Sequence, residues 1–221
     1  MLLKRGLRIS LLALGLVAAG GFIDRLQAHI VPSERLHPVA ESHRRLVFAL
    51  NLNPIPWDLV GNDLATLFPG GVTKTARAAL EAGVEAASAA ERRAAARQLL
   101  DEATRSVTGL LAATLEESKK NLEDYSKAAA ALETARQIWA SFEPVVKATD
   151  PIAFRRLGKC WLRMSSSLGS PGILDLGAVA PEVETFLGEA DEMIAYVLHS
   201  FAGDSVLPGG RLAALPTLFT Y

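Results

Sequence analysis

The chain has 221 residues, a formal net charge of -1 and an isoelectric point near 6.4. This balance excludes the strongly basic surface that nucleic-acid binding requires, so no nucleic-acid partner is expected. Hydrophobic residues make up 50% of the chain but aromatic residues only 6%, and alanine is abundant, so stability must come from close helix packing rather than from large buried side chains.

The N-terminal segment, residues 1–28, resembles an export signal. Lys4, Arg5 and Arg8 precede an uncharged apolar run from Ile9 to Ile23. A basic region followed by an apolar one is typical of a secretory signal peptide, and Ala18-Ala19-Gly20 offers small residues for cleavage. The run is shorter than the roughly 20 residues that span a bilayer comfortably, so a cleaved signal and a retained membrane anchor both remain open. Either one predicts an extracytoplasmic, periplasmic location, with a retained anchor keeping its N-terminus cytoplasmic.

Residues 29–71 are predicted to form an N-terminal helix and a capping segment that contains proline and tryptophan. Pro38 suits the first turn of a helix, which should end before Pro54. A short helix is predicted from Trp57 to Phe68. These two aromatic residues have two interpretations: they plug one end of a helical bundle, or they form a knob that binds a partner or a membrane surface.

The stretch from Val72 to Glu143 contains no proline and is rich in alanine, which predicts helix. Thr73 or Thr75 can cap its start, and Ser88-Ala89-Ala90-Glu91 matches a capping box that would begin a new helix. We expect a turn between Glu116 and Asp124, because an unbroken helix would be too long for the rest of the chain to cover. The alternative is an extended coiled coil. From Leu111 onward, residues that recur at alternating steps of four and three predict a seam between packed helices. The seam comprises Leu111, Leu115, Ser118, Leu122, Tyr125, Ala129, Leu132, Arg136 and Trp139.

Two further helices complete the predicted bundle over residues 72–203. Asp150-Pro151 is a cap followed by a proline at the first helical position, and Gly169 is a candidate left-handed stop. The last helix is predicted to open at Pro181 and to end at Gly203. Its expected buried face comprises Val183, Phe186, Leu187, Ala190, Met193, Ile194, Val197, Leu198 and Phe201. Residues 204–221 are predicted to be an irregular apolar tail.

Charged residues divide between these last two helices. The first carries a basic side (Arg155, Arg156, Lys159 and Arg163), and the second carries five acidic residues. If the two helices pack antiparallel, their charged rims can pair as solvated ion pairs. The alternative is a basic groove for an anionic ligand.

Residues capable of catalysis or metal binding form no recognised motif. The phosphate-binding, nucleophile-elbow and zinc-protease patterns are all absent from the sequence. His29, His37 and His43 lie near one another along the chain, but Glu41 and His43 would point away from each other on one helix. The lone cysteine, Cys160, lies in an apolar helical stretch and is predicted to be a buried structural thiol. The sequence therefore assigns no catalytic residue, no metal ligand and no cofactor.

These observations predict an all-α protein: an antiparallel helical bundle with an N-terminal signal or anchor segment and an apolar C-terminal tail. We expect a non-enzymatic, exported or membrane-tethered interaction subunit, with a protein partner or self-association and with membrane contact through the N-terminal segment. Trp57, Phe68, Phe219 and Tyr221 are the candidate partner-binding residues. The competing classes are a periplasmic-type ligand-binding or metal-handling bundle and an unrecognised hydrolase.

Overall fold

The structure is a computed structural model that describes residues 37–171 and 177–202. Over these residues the chain is helical and contains no strand, which confirms the all-α expectation. The predicted signal or anchor (residues 1–28) and the apolar tail (residues 204–221) lie outside them. The eight α-helices in the described residues are α1 (Pro38–Leu50), α2 (Trp57–Leu67), α3 (Lys74–Glu85), α4 (Ala89–Lys120), α5 (Tyr125–Trp139), α6 (Glu143–Thr149), α7 (Pro151–Ser167) and α8 (Val183–Val197), and a π-helical segment (Leu198–Ala202) follows.

Helix starts follow the capping signals of the sequence. Thr73 and Asp150 each accept a hydrogen bond from the backbone amide three residues further on, at 3.0 and 2.9 Å. Ser88 and Glu91 form a complete capping box, in which each side chain accepts from the backbone amide of the other residue. These bonds satisfy amides that have no partner inside the helix, and they fix where α3, α4 and α7 begin.

The long alanine-rich stretch turns where the sequence predicted. α4 ends at Lys120, a four-residue turn follows, and α5 begins at Tyr125 with Asp124 as its cap. The Ser118 hydroxyl donates a buried hydrogen bond of 2.8 Å to the backbone oxygen of Ala128. This bond joins α4 to α5 directly across the turn.

The predicted seam is only partly correct beyond this turn. Leu132 and Trp139 are buried as predicted, but Tyr125 is 39% exposed and Arg136 is also exposed, so these two were wrongly assigned to the seam. The turn restarts the helix in a new register, and the face that α5 buries is therefore rotated from the predicted one. That face comprises Ala128, Ala131, Leu132, Ala135, Ile138 and Trp139.

The last helix starts two residues later than predicted. Glu182 is not helical, and its backbone N–H donates a hydrogen bond of 2.8 Å to the backbone oxygen of Ser167. The helix α8 therefore begins at Val183 rather than at Pro181. Val183 and Leu198 were predicted to be buried but are 45% and 41% exposed. Leu198 opens the π-helical segment, whose wider turn changes the face that meets the core and buries Phe201 instead.

The core is organised around α4. This helix packs against α1, α2, α3, α5, α8 and the π-helical segment. It buries Leu99, Val107, Leu111 and Leu115 completely, and between them it presents alanines that allow neighbouring helices to approach closely. Residues from both predicted segments, 29–71 and 72–203, contribute to this one hydrophobic core.

Candidate functional site

Trp57, the first residue of α2, packs against α3. Its indole ring lies so close to Gly83 that a Cβ atom at position 83 would overlap the ring. The indole Nε1 is buried and has no hydrogen-bond partner among the described residues. Trp57 therefore joins α2 to α3, as the plug interpretation expects, while part of the residue stays accessible to solvent.

Of the other three predicted partner-binding residues, the structure describes only Phe68. Phe68 follows α2 and is buried in the hydrophobic core, with 4% of its surface exposed. Phe219 and Tyr221 lie outside the described residues. The partner-binding role of Trp57, Phe68, Phe219 and Tyr221 stays a prediction.

Exposed apolar surface near Trp57 comes from residues that the sequence did not single out. Phe48, Leu52 and Leu59 are 53%, 40% and 56% exposed, and we call this set the α1–α2 patch. Arg45 on α1 and Asp63 on α2 form an ion pair of 2.6 Å, which shows which faces of the two helices adjoin.

The same ion pair places Phe48 and Leu59 on adjoining faces of the two helices. Phe48 lies three residues after Arg45, and Leu59 lies four residues before Asp63, so each occupies the same helix face as its charged neighbour. Leu52 lies just beyond the end of α1. A sequence signal existed for Leu59, because it lies off the apolar stripe of Val60, Leu64 and Leu67 that the structure buries.

The histidines do not converge on one site. His37 caps α1, where its Nδ1 accepts a 3.3 Å hydrogen bond from the Val39 amide. Glu41 pairs with Arg45 at 2.7 Å. His43 points into the core on the other side of α1, and His29 lies outside the described residues. His37, Glu41 and His43 therefore form no common ligand set.

His43 belongs to a buried polar cluster. Its Nε2 lies 3.3 Å from the Thr104 hydroxyl, whereas its Nδ1 and the Thr108 hydroxyl have no partner among the described residues. The ring centroid of Phe142 lies 5.3 Å away and that of Phe201 lies 5.0 Å beyond it. Burial among these apolar rings lowers the pKa of His43 to about 4, because desolvation disfavours the charged imidazolium.

A second cluster joins α7 to α8. The ligand-type atoms of Cys160, Glu189 and Glu192 all lie within 4.8 Å of one another. Arg163 donates to Glu189 at 2.7 Å, and Arg156 pairs with Glu192 at 2.9 Å. These pairs show that α7 and α8 run antiparallel and confirm that their charged rims meet.

The charges of this cluster favour an ion-pair network over a metal centre. Burial, a hydrogen bond to Glu189 and the nearby carboxylates raise the pKa of the Cys160 thiol to about 12. A cysteine binds a metal as the thiolate, which this setting disfavours. Each carboxylate already has an arginine partner, so the cluster balances its charge with its own residues.

Comparison of the chain with protein-family models, with curated proteins and with solved structures found no match. None of the helices in residues 37–171 and 177–202 is long and apolar enough to cross a membrane. The function must therefore be argued from the surfaces and clusters described above.

The contact between Trp57 and Gly83 can be tested with a matched pair of glycine substitutions. Gly83→Ala should lower the free energy of unfolding by about 1 kcal/mol net, because overpacking costs more than the gain in helix propensity returns. Gly109→Ala on α4 meets open space and should raise it by up to about 1 kcal/mol. Urea unfolding measures both, and tryptophan emission should shift to longer wavelength only in Gly83→Ala. Equal effects of the two substitutions would contradict the packing role of Trp57.

Burial of His43 predicts a specific loss of stability in acid. Between pH 6.5 and about 4 the unfolded chain binds a proton at this residue and the folded chain does not. The contribution of neutral His43 to the free energy of unfolding is therefore complete above pH 6.5. It falls by on the order of 3 kcal/mol as the pH approaches 4. Urea unfolding over this range should show a flatter profile for His43→Leu, whereas His37→Gln should flatten it much less, because His37 is only partly buried and burial lowers its pKa less strongly. A His43→Leu profile parallel to that of the wild type would show that the loss of stability in acid does not come from His43.

Proposed function

We propose that the chain is a non-enzymatic helical protein, exported or tethered to a membrane, that acts as an interaction or accessory subunit. The observation that carries this proposal is the α1–α2 patch, an exposed apolar surface at the proline- and tryptophan-containing end of α1 and α2. The basic and apolar N-terminal segment supports export. The antiparallel packing of α7 on α8 supports describing the fold as an antiparallel bundle.

The size of the α1–α2 patch favours a transient protein interface. Single exposed apolar residues are common on protein surfaces, but contiguous ones usually mark a binding site. Three side chains fall well short of the roughly 800 Å² that each partner buries in a stable complex. Arg45, Glu41 and Asp63 border the patch and form a polar rim. We therefore assign it to a different protein that presents an apolar surface, rather than to a permanent dimer of this chain.

The titratable groups of the described residues support a non-enzymatic role. A nucleophilic cysteine needs a lowered pKa and access to substrate, whereas Cys160 is buried and its pKa is raised. The pKa of His43 is lowered far below neutrality, and the imidazole is enclosed by apolar rings. The carboxylates beside Cys160 are already paired with arginines, and no ionisable group pairs with His43 in the described residues, so neither group is arranged to pass a proton to a substrate.

Export can be tested on the full chain with alkaline phosphatase fused after residue 221, because this reporter is active only outside the cytoplasm. We expect activity from the wild-type fusion and its loss with Leu14→Arg, which interrupts the apolar run of the N-terminal segment. Alkaline extraction of membranes then separates the two export routes. An intact N-terminus in the membrane pellet supports the tether, and a soluble chain with an N-terminus near Gly21 removes it. Equal activity of the two fusions contradicts export.

The α1–α2 patch can be tested by placing a photoreactive amino acid at position 59 in intact cells. We expect a cross-linked product with one other protein, strongly reduced by Phe48→Asp because this change places a charge inside the patch. A photoreactive residue at the exposed position 113 on α4 is the matched control.

Binding of the purified partner completes this test. Phe48→Asp should weaken its affinity at least tenfold, since about 1.4 kcal/mol of lost contact corresponds to that factor. Equal cross-linking from positions 59 and 113 would overturn the assignment. A product joining two copies of this chain, or joining position 59 to residues 204–221, would replace the proposed partner with that occupant.

A further inference from the structure

A second exposed surface runs along α7. Ile152, Arg155, Lys159 and Leu162 follow one another at steps of three, four and three, so they lie on one face of this helix. Ile152 and Leu162 are each 73% exposed, the highest values among the large apolar residues of the described chain. The buried residues of α7 occupy the opposite face. We call these four residues the α7 strip.

The two cations of the α7 strip have no counter-charge in the part of the chain that the structure describes. The other two arginines of α7 pair with glutamates of α8, but no ion pair involves Arg155 or Lys159 among residues 37–171 and 177–202. Lys147 on the adjoining helix α6 adds a third exposed cation, whose ammonium lies 5.9 Å from the ring of Phe154 in α7. The surface thus combines unpaired positive charge with large apolar side chains.

We propose that the α7 strip docks on an anionic lipid bilayer surface. Arg155 and Lys159 would bind headgroup phosphates, and Ile152 and Leu162 would enter the boundary between headgroups and acyl chains. Binding at this interface becomes stronger with the apolar area that enters it and with the attraction between basic side chains and anionic lipids, and the α7 strip offers both on its one exposed face. The inference deepens the proposed function and rests on the membrane tether that it includes.

Other occupants fit the α7 strip less well. Residues 204–221 contain one acidic side chain, Asp204, and one basic side chain, Arg211, so their side chains bring no net negative charge to the strip. A second copy of this chain would offer the acidic face of α8, but Glu189, Asp191 and Glu192 already pair with cations of their own chain. In the described residues this leaves Glu184 as a single carboxylate of α8 for two cations. The outward face of a packed helix is convex, and a deformable bilayer can follow it without the matching groove that a protein partner would need.

The expected strength of this contact suits a tethered protein. Each cation near an anionic bilayer strengthens binding by a factor of about five, so Arg155 and Lys159 together contribute a factor of about 25. That is too little to hold a free protein on a membrane. A membrane tether raises the effective concentration of the strip at the surface, which makes a weak contact sufficient to orient the bundle.

The experiment measures the depth of position 162 in vesicles that contain the full chain. Leu162→Cys is labelled with an environment-sensitive fluorophore, which reacts selectively because Cys160 is buried and its pKa is raised. The vesicles consist of phosphatidylcholine alone or with about one quarter phosphatidylglycerol, and a fraction of the lipids carries a quencher on the acyl chain. Ala113→Cys on α4 is the matched control, and unmodified protein measures background labelling.

We expect a blue shift and lipid quenching of the label at position 162 in the anionic vesicles, with little of either at position 113. Adding Arg155→Glu and Lys159→Glu should reduce the quenching at least fivefold while the protein still sediments with the vesicles through its N-terminal segment. Equal quenching in neutral vesicles, or no quenching at position 162, overturns lipid docking. If the label at position 162 is quenched in the protein with an unchanged strip, but the variant with Arg155→Glu and Lys159→Glu no longer sediments with the vesicles, the docking inference stands and the proposed tether fails.

Discussion

Close packing against α4 is the constraint on which the rest of the structure depends. This helix contacts most of the other elements described, and its buried leucines and valine alternate with alanines that let neighbouring backbones approach. With aromatic residues at only 6% of the chain, few side chains could fill a wide gap between helices. Stability must come from dispersion contacts and apolar burial over many small side chains. The consequence is a core with little room, in which one added methyl group at Gly83 already meets the ring of Trp57.

Desolvation decides where the polar groups of the bundle can lie. His43 is tolerated in the core only as a neutral imidazole, held by Thr104 and enclosed by Phe142. Cys160 stays a thiol for the same reason, and the arginines beside it neutralise the carboxylates that approach it. Burial of Cys160 agrees with the structural thiol predicted from the sequence. The surroundings suppress the imidazolium of His43 and the thiolate of Cys160, and the thiolate is the form in which a cysteine attacks a substrate or binds a metal.

The bundle carries two outward surfaces of different composition. The α1–α2 patch is apolar with a rim of paired charges, which suits transient contact with a protein. The α7 strip mixes apolar side chains with unpaired cations, which suits a lipid headgroup layer. A bundle held at a membrane by its N-terminal segment could rest on the α7 strip and present the α1–α2 patch to a partner. One protein would then use two weak contacts, each strengthened by the tether.

The sequence by itself determined the all-α class, the capping box at Ser88 and the cap at Asp150, because these depend on local backbone hydrogen bonding and helix propensity. The turn between α4 and α5 was predicted from the length that an unbroken helix would reach, and Thr73 was one of two candidate caps. Pairing of the α7 and α8 rims was also predictable from the segregation of their charges. Only the tertiary structure decided which faces are buried after the register restarts at Tyr125, and that His43 lies in the core. It also decided that Arg45 pairs with Asp63 and so brings together the helix faces that carry Phe48 and Leu59, since burial and contact between distant residues depend on how helices pack and not on any short pattern.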